Sequence, residues 1–155
     1  GLLNEKMYGP GFLLFEPNAN YARNWIQKVK VEETDFRRMI YNMRIRMEQD
    51  SVFGAFDCPD GGQSAPNRSR STTPLQALNL YNSPFTVKMA ESFAKRLLEQ
   101  NNNNAKQALA LAFESIFGRT PKNRERDAAE KYVDEHGLVA YCRVLFNANE
   151  FLFMP

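Results

Sequence analysis

The strongest constraint on the fold is a series of helix start and stop signals in the second half of the chain. Thr73 as N-cap, Pro74 as first helical residue and Gln76 three positions after the cap form a capping box. Proline is tolerated there because its missing N–H would have no helical partner anyway. Ser83-Pro84 repeats the arrangement. Because apolar residues at helical spacing follow each signal, the sequence predicts a succession of helices.

Later signals extend this series to the end of the chain. Asn104 can cap a helix, Gly118 and Gly137 can end one in a left-handed conformation, and Thr120-Pro121 can open another. Together the signals predict helices over residues 35–49, 84–99, 105–117, 120–136 and 138–147, and a short helix that starts at Thr73.

The first two predicted helices each have an expected buried side. In the first helix, Thr34 suits the N-cap, Asp35 suits the first turn, and apolar residues recur at helical spacing; they are Phe36, Met39, Ile40, Met43 and Met47. In the helix that starts at Thr73, we expect an inward side formed by Leu75, Leu78, Leu80 and Tyr81.

The predicted fold class is therefore all-α: an irregular bundle of five or six helices with one long ordered loop and an extended N-terminal arm. Residues 1–33 show no sustained period and are expected to form the arm, while residues 34–155 form the helical domain. The chain begins with Gly1, and we expect it to be a piece of a longer protein whose arm continues a larger domain. Some apolar surface should then remain exposed on the arm.

Composition limits the classes of function. The chain has 155 residues, 43% of them hydrophobic, which suits one globular domain. Its 20 Lys and Arg residues against 18 Asp and Glu residues do not form the basic footprint of a nucleic-acid-binding protein. No apolar run reaches the length of about 18 residues that a membrane span requires.

The residues that carry common catalytic chemistry are few. Cys58 and Cys142 form no CxxC motif, and two separate thiols are favoured over one disulfide. His136, the one histidine, falls at a predicted helix end, where a positive charge is favourable. Since no nucleophile–base motif, metal-ligand spacing or phosphate-binding loop is present, we expect no catalytic residue, metal site or cofactor in this chain.

The remaining feature is the long connection formed by residues 51–72, which has no helical period. Connections of this length inside a domain are usually functional or disordered. Phe53 and Phe56 favour order, because aromatic side chains would anchor the loop on the core. We therefore predict an ordered loop with both rings buried.

Polar residues of this loop and of the helix that follows it form the one candidate binding site; they are Asp57, Asp60, Arg68, Arg70, Gln76 and Asn79. One interpretation is a polysaccharide-binding or hydrolase-like site in which Asp57 and Asp60 act as acid and base. The favoured interpretation is structural. In it, Arg68 and Arg70 pair with Asp57, Asp60 or Glu150 and fix the loop to the helices.

Five separated stretches resemble one known family; they are DFRRMIYNMRIRM (35–47), FDCPD (56–60), RSRSTTPLQALNLYNSPF (68–85), AFESIFGRTP (112–121) and LFNANEFLF (145–153). In order and spacing they are similar to the C-terminal half of the planctomycete-type PSD-one domain family, a domain of unknown function. The resemblance implies a position at the C-terminal end of large exported proteins, often with a c-type cytochrome module. It thus implies a periplasmic or extracellular location, with other domains of the parent protein as partners.

The expected function is that of a non-catalytic helical module that provides a packing or binding surface within such a protein. The alternative is a part of a polysaccharide-binding or hydrolase-like site that uses Asp57 and Asp60.

Overall fold

A computed structural model describes residues 2–19, 25–28, 32–45, 48, 54–57, 67 and 71–153. The chain divides into two compact units, an N-terminal unit (Leu2–Gln76) and a C-terminal unit (Ala77–Pro155). The division falls inside a helix. These two units are compact regions of the chain and do not test the predicted domain boundary between residues 33 and 34, which stays a prediction.

The described part of the chain is mostly helical, which confirms the predicted all-α class. The α-helices are α1 (Pro74–Asn82), α2 (Pro84–Gln100), α3 (Ala105–Phe117), α4 (Asn123–Phe146) and α5 (Asn149–Leu152). Short 3-10 turns cover Glu33–Asp35, Met39–Tyr41 and Gly54–Phe56. The one described sheet has two antiparallel strands, β1 (Phe15–Pro17) and β2 (Trp25–Gln27), with Glu16 opposite Ile26.

The predicted caps are present at the start of α2 and at both ends of α3. The start predicted at Thr120-Pro121 is wrong, because α4 begins at Asn123, where Glu125 accepts a hydrogen bond from the backbone N–H of Lys122. The Ser83 hydroxyl accepts a hydrogen bond from the backbone N–H of Thr86 at the start of α2. The Asn104 side chain accepts from two N–H groups at the start of α3, and Gly118 ends α3 with φ 66° and ψ 14°. Helix ends leave backbone groups without helical partners, and these side chains supply the partners.

The core of the C-terminal unit lies where α2, α3 and α4 meet. Small side chains line the contacts between the helices: Ala90, Ala94, Ala108, Ala112 and Ala129 are all buried. The largest fully buried side chains are Leu97, Leu109 and Cys142. Small residues let helix backbones approach closely, and the larger side chains fill the remaining space.

The prediction of an α-helix over residues 35–49 is wrong over its described part, residues 35–45 and 48, where 3-10 turns and isolated β-bridges are present and no α-helix is. The physical reason is that backbone groups here bond to the N-terminal arm. Phe12 donates its N–H to the carbonyl of Tyr41 at 2.9 Å and accepts from the N–H of Met43 at 2.8 Å. Tertiary pairing thus overrides the helical pattern. Phe36 is buried, but Ile40 is 86% exposed.

The predicted buried side of α1 is also wrong. Leu75 and Leu78 are 59% and 58% exposed, Tyr81 is exposed, and no residue of α1 is buried. Polar bonds to its last carbonyls hold the helix within the C-terminal unit instead. Arg143 donates to the carbonyl of Tyr81 at 2.7 Å, and Asn147 donates to the carbonyl of Leu80 at 3.2 Å. A helix held at its end need not bury its apolar side.

The break predicted at Gly137 is present as a kink in α4. Gly137 has φ 83° and ψ 163°, far from helical values, and helical residues continue on both sides of it. The two helices predicted over residues 120–136 and 138–147 are therefore two segments of α4, and the second segment buries Leu138, Tyr141, Cys142 and Leu145.

We predict that Gly137→Ala lowers the free energy of unfolding by about 1–3 kcal/mol, because its backbone conformation is essentially restricted to glycine. An added methyl group would meet no atom within 4 Å, so the loss would report backbone strain and not a clash. Urea denaturation followed by circular dichroism measures the change.

Gly118→Asn is the matched control for this substitution. Its position also has a positive φ and no atom near an added Cβ, but asparagine tolerates the left-handed helical conformation. This control should lose less stability than Gly137→Ala. Equal losses in the two variants would contradict the role given to the kink.

Candidate functional site

The described part of the loop is fastened to the start of α1 through Asp57. Its carboxylate accepts from the backbone N–H of Ser71 at 2.6 Å, and the Ser71 hydroxyl lies 3.0 and 2.9 Å from its two oxygens. Asp57 has a φ of 56°, a left-handed conformation that aspartate adopts more readily than most residues. Both carboxylate oxygens are therefore engaged by one serine, fourteen positions along the chain.

Gln76 completes this fastening and confirms the predicted capping box. Its side-chain oxygen accepts from the N–H of Thr73 at 3.1 Å, while its own N–H donates to the Thr73 hydroxyl at 3.3 Å. The amide nitrogen of the Gln76 side chain donates to the carbonyl of Ala55 and to the Ser71 hydroxyl, both at 3.0 Å. One side chain thus caps α1 and also holds Ala55 and Ser71 of the loop.

Of the six predicted site residues, the structure brings two together. Asp57 and Gln76 share Ser71 as a hydrogen-bond partner within the N-terminal unit. Asn79 lies on α1, half-buried, in the C-terminal unit. The other three, Asp60, Arg68 and Arg70, lie outside the described residues, so their proposed pairing and a binding role for the set stay predictions.

The aromatic anchoring of the loop is corrected at one of its two positions. Phe56, which is expected to be buried, is 38% exposed. Polar bonds hold residues 54–57 instead: Ser71 donates to the Asp57 carboxylate, and Gln76 donates to the Ala55 carbonyl. Phe53 lies outside the described residues, as does Cys58. Cys142 is a free, buried thiol, and burial raises its pKa to about 12.

A charged cluster in the C-terminal unit was not predicted from the sequence. Arg119 follows Gly118 at the end of α3 and donates two hydrogen bonds to each of two carboxylates. The bonds to Glu125 are both 2.9 Å long, and those to Glu150 are 2.7 and 2.8 Å long. Paired bonds of this kind use the planar fork of the guanidinium group and are stronger than bonds between neutral groups.

Aromatic and backbone contacts complete this Arg119 cluster. The guanidinium carbon lies 4.8 Å from the ring centre of Phe113 and 5.9 Å from that of Phe117, within reach of a cation–π attraction. Glu125 also accepts from the backbone N–H of Lys122 at 2.7 Å and so caps the start of α4. The cluster therefore joins the turn after α3 to the start of α4 and to α5.

The hydrogen bonds of the cluster favour the charged forms of Arg119, Glu125 and Glu150. The hydrogen bonds from Arg119 and then from Lys122 N–H lower the pKa of Glu125 to about 2. The hydrogen bonds from Arg119 also lower the pKa of Glu150, and those to Glu150 and Glu125 raise the pKa of Arg119. Since both carboxylates stay ionised and bonded at neutral pH, neither is set to donate a proton there.

The sequence indicates only weakly that the Arg119 cluster forms. Arg119 and Glu150 stand in two of the family-like stretches, AFESIFGRTP and LFNANEFLF, but they are 31 positions apart, and no local spacing indicates that they pair. Glu150, one of the carboxylates considered as a partner for Arg68 or Arg70, binds Arg119.

Two features are absent from the residues that the structure describes. Among them, no group of three or more His, Cys, Asp and Glu side chains is arranged to hold a metal ion. Nor does any described helix combine the length and apolar character needed to cross a membrane.

We predict that Glu125→Gln lowers the melting temperature at neutral pH, and that the deficit shrinks as the pH falls from 4.5 toward about 2. The folded-state pKa lies below the ordinary value, so the ionised carboxylate stabilises the folded chain above pH 4.5. This contribution disappears as the carboxylate takes up a proton on descending through that window. Thermal unfolding followed by circular dichroism at a series of pH values measures the deficit.

Glu114→Gln is the control, because Glu114 is an exposed glutamate of α3 that makes no ion pair with any described residue. We expect it to melt close to the unchanged chain throughout the series. A Glu125→Gln deficit that stays constant down to the lowest pH would contradict the pairing.

Comparison with known proteins identifies a family. Residues 1–133 match the family described as PSD1, protein of unknown function (DUF1553). No curated protein and no solved structure matches the chain. The match covers most of the chain, including the N-terminal unit, and ends within α4. The chain therefore belongs to the PSD1 family of proteins of unknown function.

Proposed function

We propose that this chain is a non-catalytic helical module of a larger exported protein, to which it gives a packing or binding surface. The observation that carries the proposal is the engagement of Asp57. Its carboxylate, one of the two predicted acid–base groups, accepts hydrogen bonds from the N–H and hydroxyl of Ser71. A carboxylate used in this way serves to hold the loop against the start of α1.

Exposed apolar side chains support the second part of the proposal. On α1, Leu75, Leu78 and Tyr81 remain open to solvent. The N-terminal unit exposes further large apolar side chains: Leu3, Met7, Tyr8, Met39, Ile40 and Met43. Leu3, Met7 and Tyr8 lie on the arm, where exposed apolar surface is expected. Contiguous exposed apolar surface is typical of sites that contact another protein or domain, and Leu75 and Leu78, three positions apart, lie on one side of α1.

The partners in this proposal are other domains of the parent protein, and the location is periplasmic or extracellular. Both follow from the resemblance of the five stretches to exported, cytochrome-associated members of the family. The alternative function, a polysaccharide-binding or hydrolase-like site, requires Asp57 to be free to exchange a proton with a substrate, together with Asp60.

Asp57→Asn separates the two functions. We predict that it lowers the free energy of unfolding by about 1 kcal/mol, because an amide offers one acceptor oxygen where the carboxylate offers two. Asparagine also adopts a left-handed φ readily, so the backbone of residue 57 is not strained by the change. Urea denaturation measures the loss, and a parallel assay follows the release of reducing ends from a panel of polysaccharides.

Ser71→Ala is the matched variant, since it removes the hydroxyl but leaves the backbone N–H that donates to Asp57. We expect it to lose stability as Asp57→Asn does, and we expect no hydrolysis by any variant. Hydrolysis by the unchanged chain that disappears in Asp57→Asn, with stability unaltered, would overturn the proposal and favour the alternative.

A further inference from the structure

Helix α5 is held to the rest of the C-terminal unit with little apolar burial. It has four residues, Asn149–Leu152, and none of them is buried. Phe151 and the following Phe153 are 43% and 60% exposed. A helix of one turn is not stable in isolation. Its place in the fold therefore depends on the few contacts that its side chains make.

Two contacts of different kinds meet on α5. The first is the paired hydrogen bonding of Glu150 to Arg119, described above. The second is an aromatic contact, in which the ring centre of Phe151 lies 5.9 Å from that of Phe146 at the end of α4. Phe146 in turn stacks on Phe93 of α2 at 5.8 Å.

Part of the Arg119 cluster does not depend on α5. Glu125 retains its own two bonds from Arg119 and its bond from the Lys122 N–H, so the turn between α3 and α4 stays fixed. No residue of α5 belongs to the buried cluster of α2, α3 and α4, which ends at Leu145, although α5 packs against α3 and α4.

We propose that α5 is a detachable strap, fastened by the Arg119–Glu150 pair and able to leave the C-terminal unit without unfolding α2, α3 and α4. Docked, it places Phe151 against Phe146. When α5 is released, the Phe146 ring is uncovered and the apolar residues of α5, Phe151 and Leu152, become more exposed to solvent. The C-terminal unit thus has one apolar surface when α5 is docked and a larger one when α5 is released, and the Arg119–Glu150 pair determines which is present.

The experiment is nuclear magnetic resonance on the 155-residue chain, uniformly labelled with ¹⁵N, with Glu150→Gln as the test variant. In the unchanged chain, we expect backbone order parameters near 0.85 in α5 and a cross-peak between the Phe146 and Phe151 rings. In Glu150→Gln we expect order parameters below about 0.6 in α5 and loss of the cross-peak. The order parameters of α2, α3 and α4 should not change.

Two further variants keep the sequence of α5 intact. Arg119→Lys keeps the positive charge but lacks the fork, so it should release α5 as Glu150→Gln does. Glu125→Gln leaves the Arg119–Glu150 bonds in place and should not release it. An α5 that stays ordered in Glu150→Gln and Arg119→Lys, or one that is released equally by Glu125→Gln, would overturn the proposal. So would loss of order in α3 and α4 together with α5.

Discussion

The close approach of α2, α3 and α4 is the constraint on which the C-terminal unit depends. Alanines at positions 90, 94, 108, 112 and 129 are buried between these helices, and larger side chains would hold the backbones apart. This contact brings the end of α3 and the start and end of α4 to fixed places. The groups that interact beyond the core, Arg119, Arg143 and Asn147, can then reach their partners.

Outside this core, polar side chains fasten the elements where apolar burial is absent. Arg143 and Asn147 hold the end of α1, whose apolar side stays exposed. In the N-terminal unit, Arg37 donates to the carbonyls of Pro10 and Tyr8 at 2.6 and 2.8 Å, which holds the arm. Such fastening leaves apolar side chains exposed, and the proposed function assigns these side chains to contacts with other domains.

Local chemistry made much of the fold predictable from the sequence. The Thr73 capping box, the Ser83 cap and the break at Gly137 depend only on residues within a few positions of one another. The capping role of the Gln76 side chain was likewise predictable, because Thr73 lies only three positions before it. Its bond to Ala55, however, crosses 21 positions and could not be read from spacing.

Two features that the sequence analysis missed depend on distant parts of the chain. Phe12 takes the backbone bonds of Tyr41 and Met43 that a helix would have needed. Arg119 pairs with Glu150 across 31 positions, a contact that exists only because α3 and α4 pack side by side. Periodicity indicates which side of a helix is apolar, but whether that side is covered depends on the neighbours.

Native-state amide hydrogen exchange on the 155-residue chain tests most directly whether the alanine-lined contact is the stable centre of the C-terminal unit. Amides in a stable centre exchange only when the unit unfolds, whereas those of a weakly fastened element exchange through local opening. We predict that the slowest amides lie in α2, α3 and α4, and that those of α1 exchange faster. Exchange in α1 as slow as in α3 would contradict this and would place the exposed helix within the core.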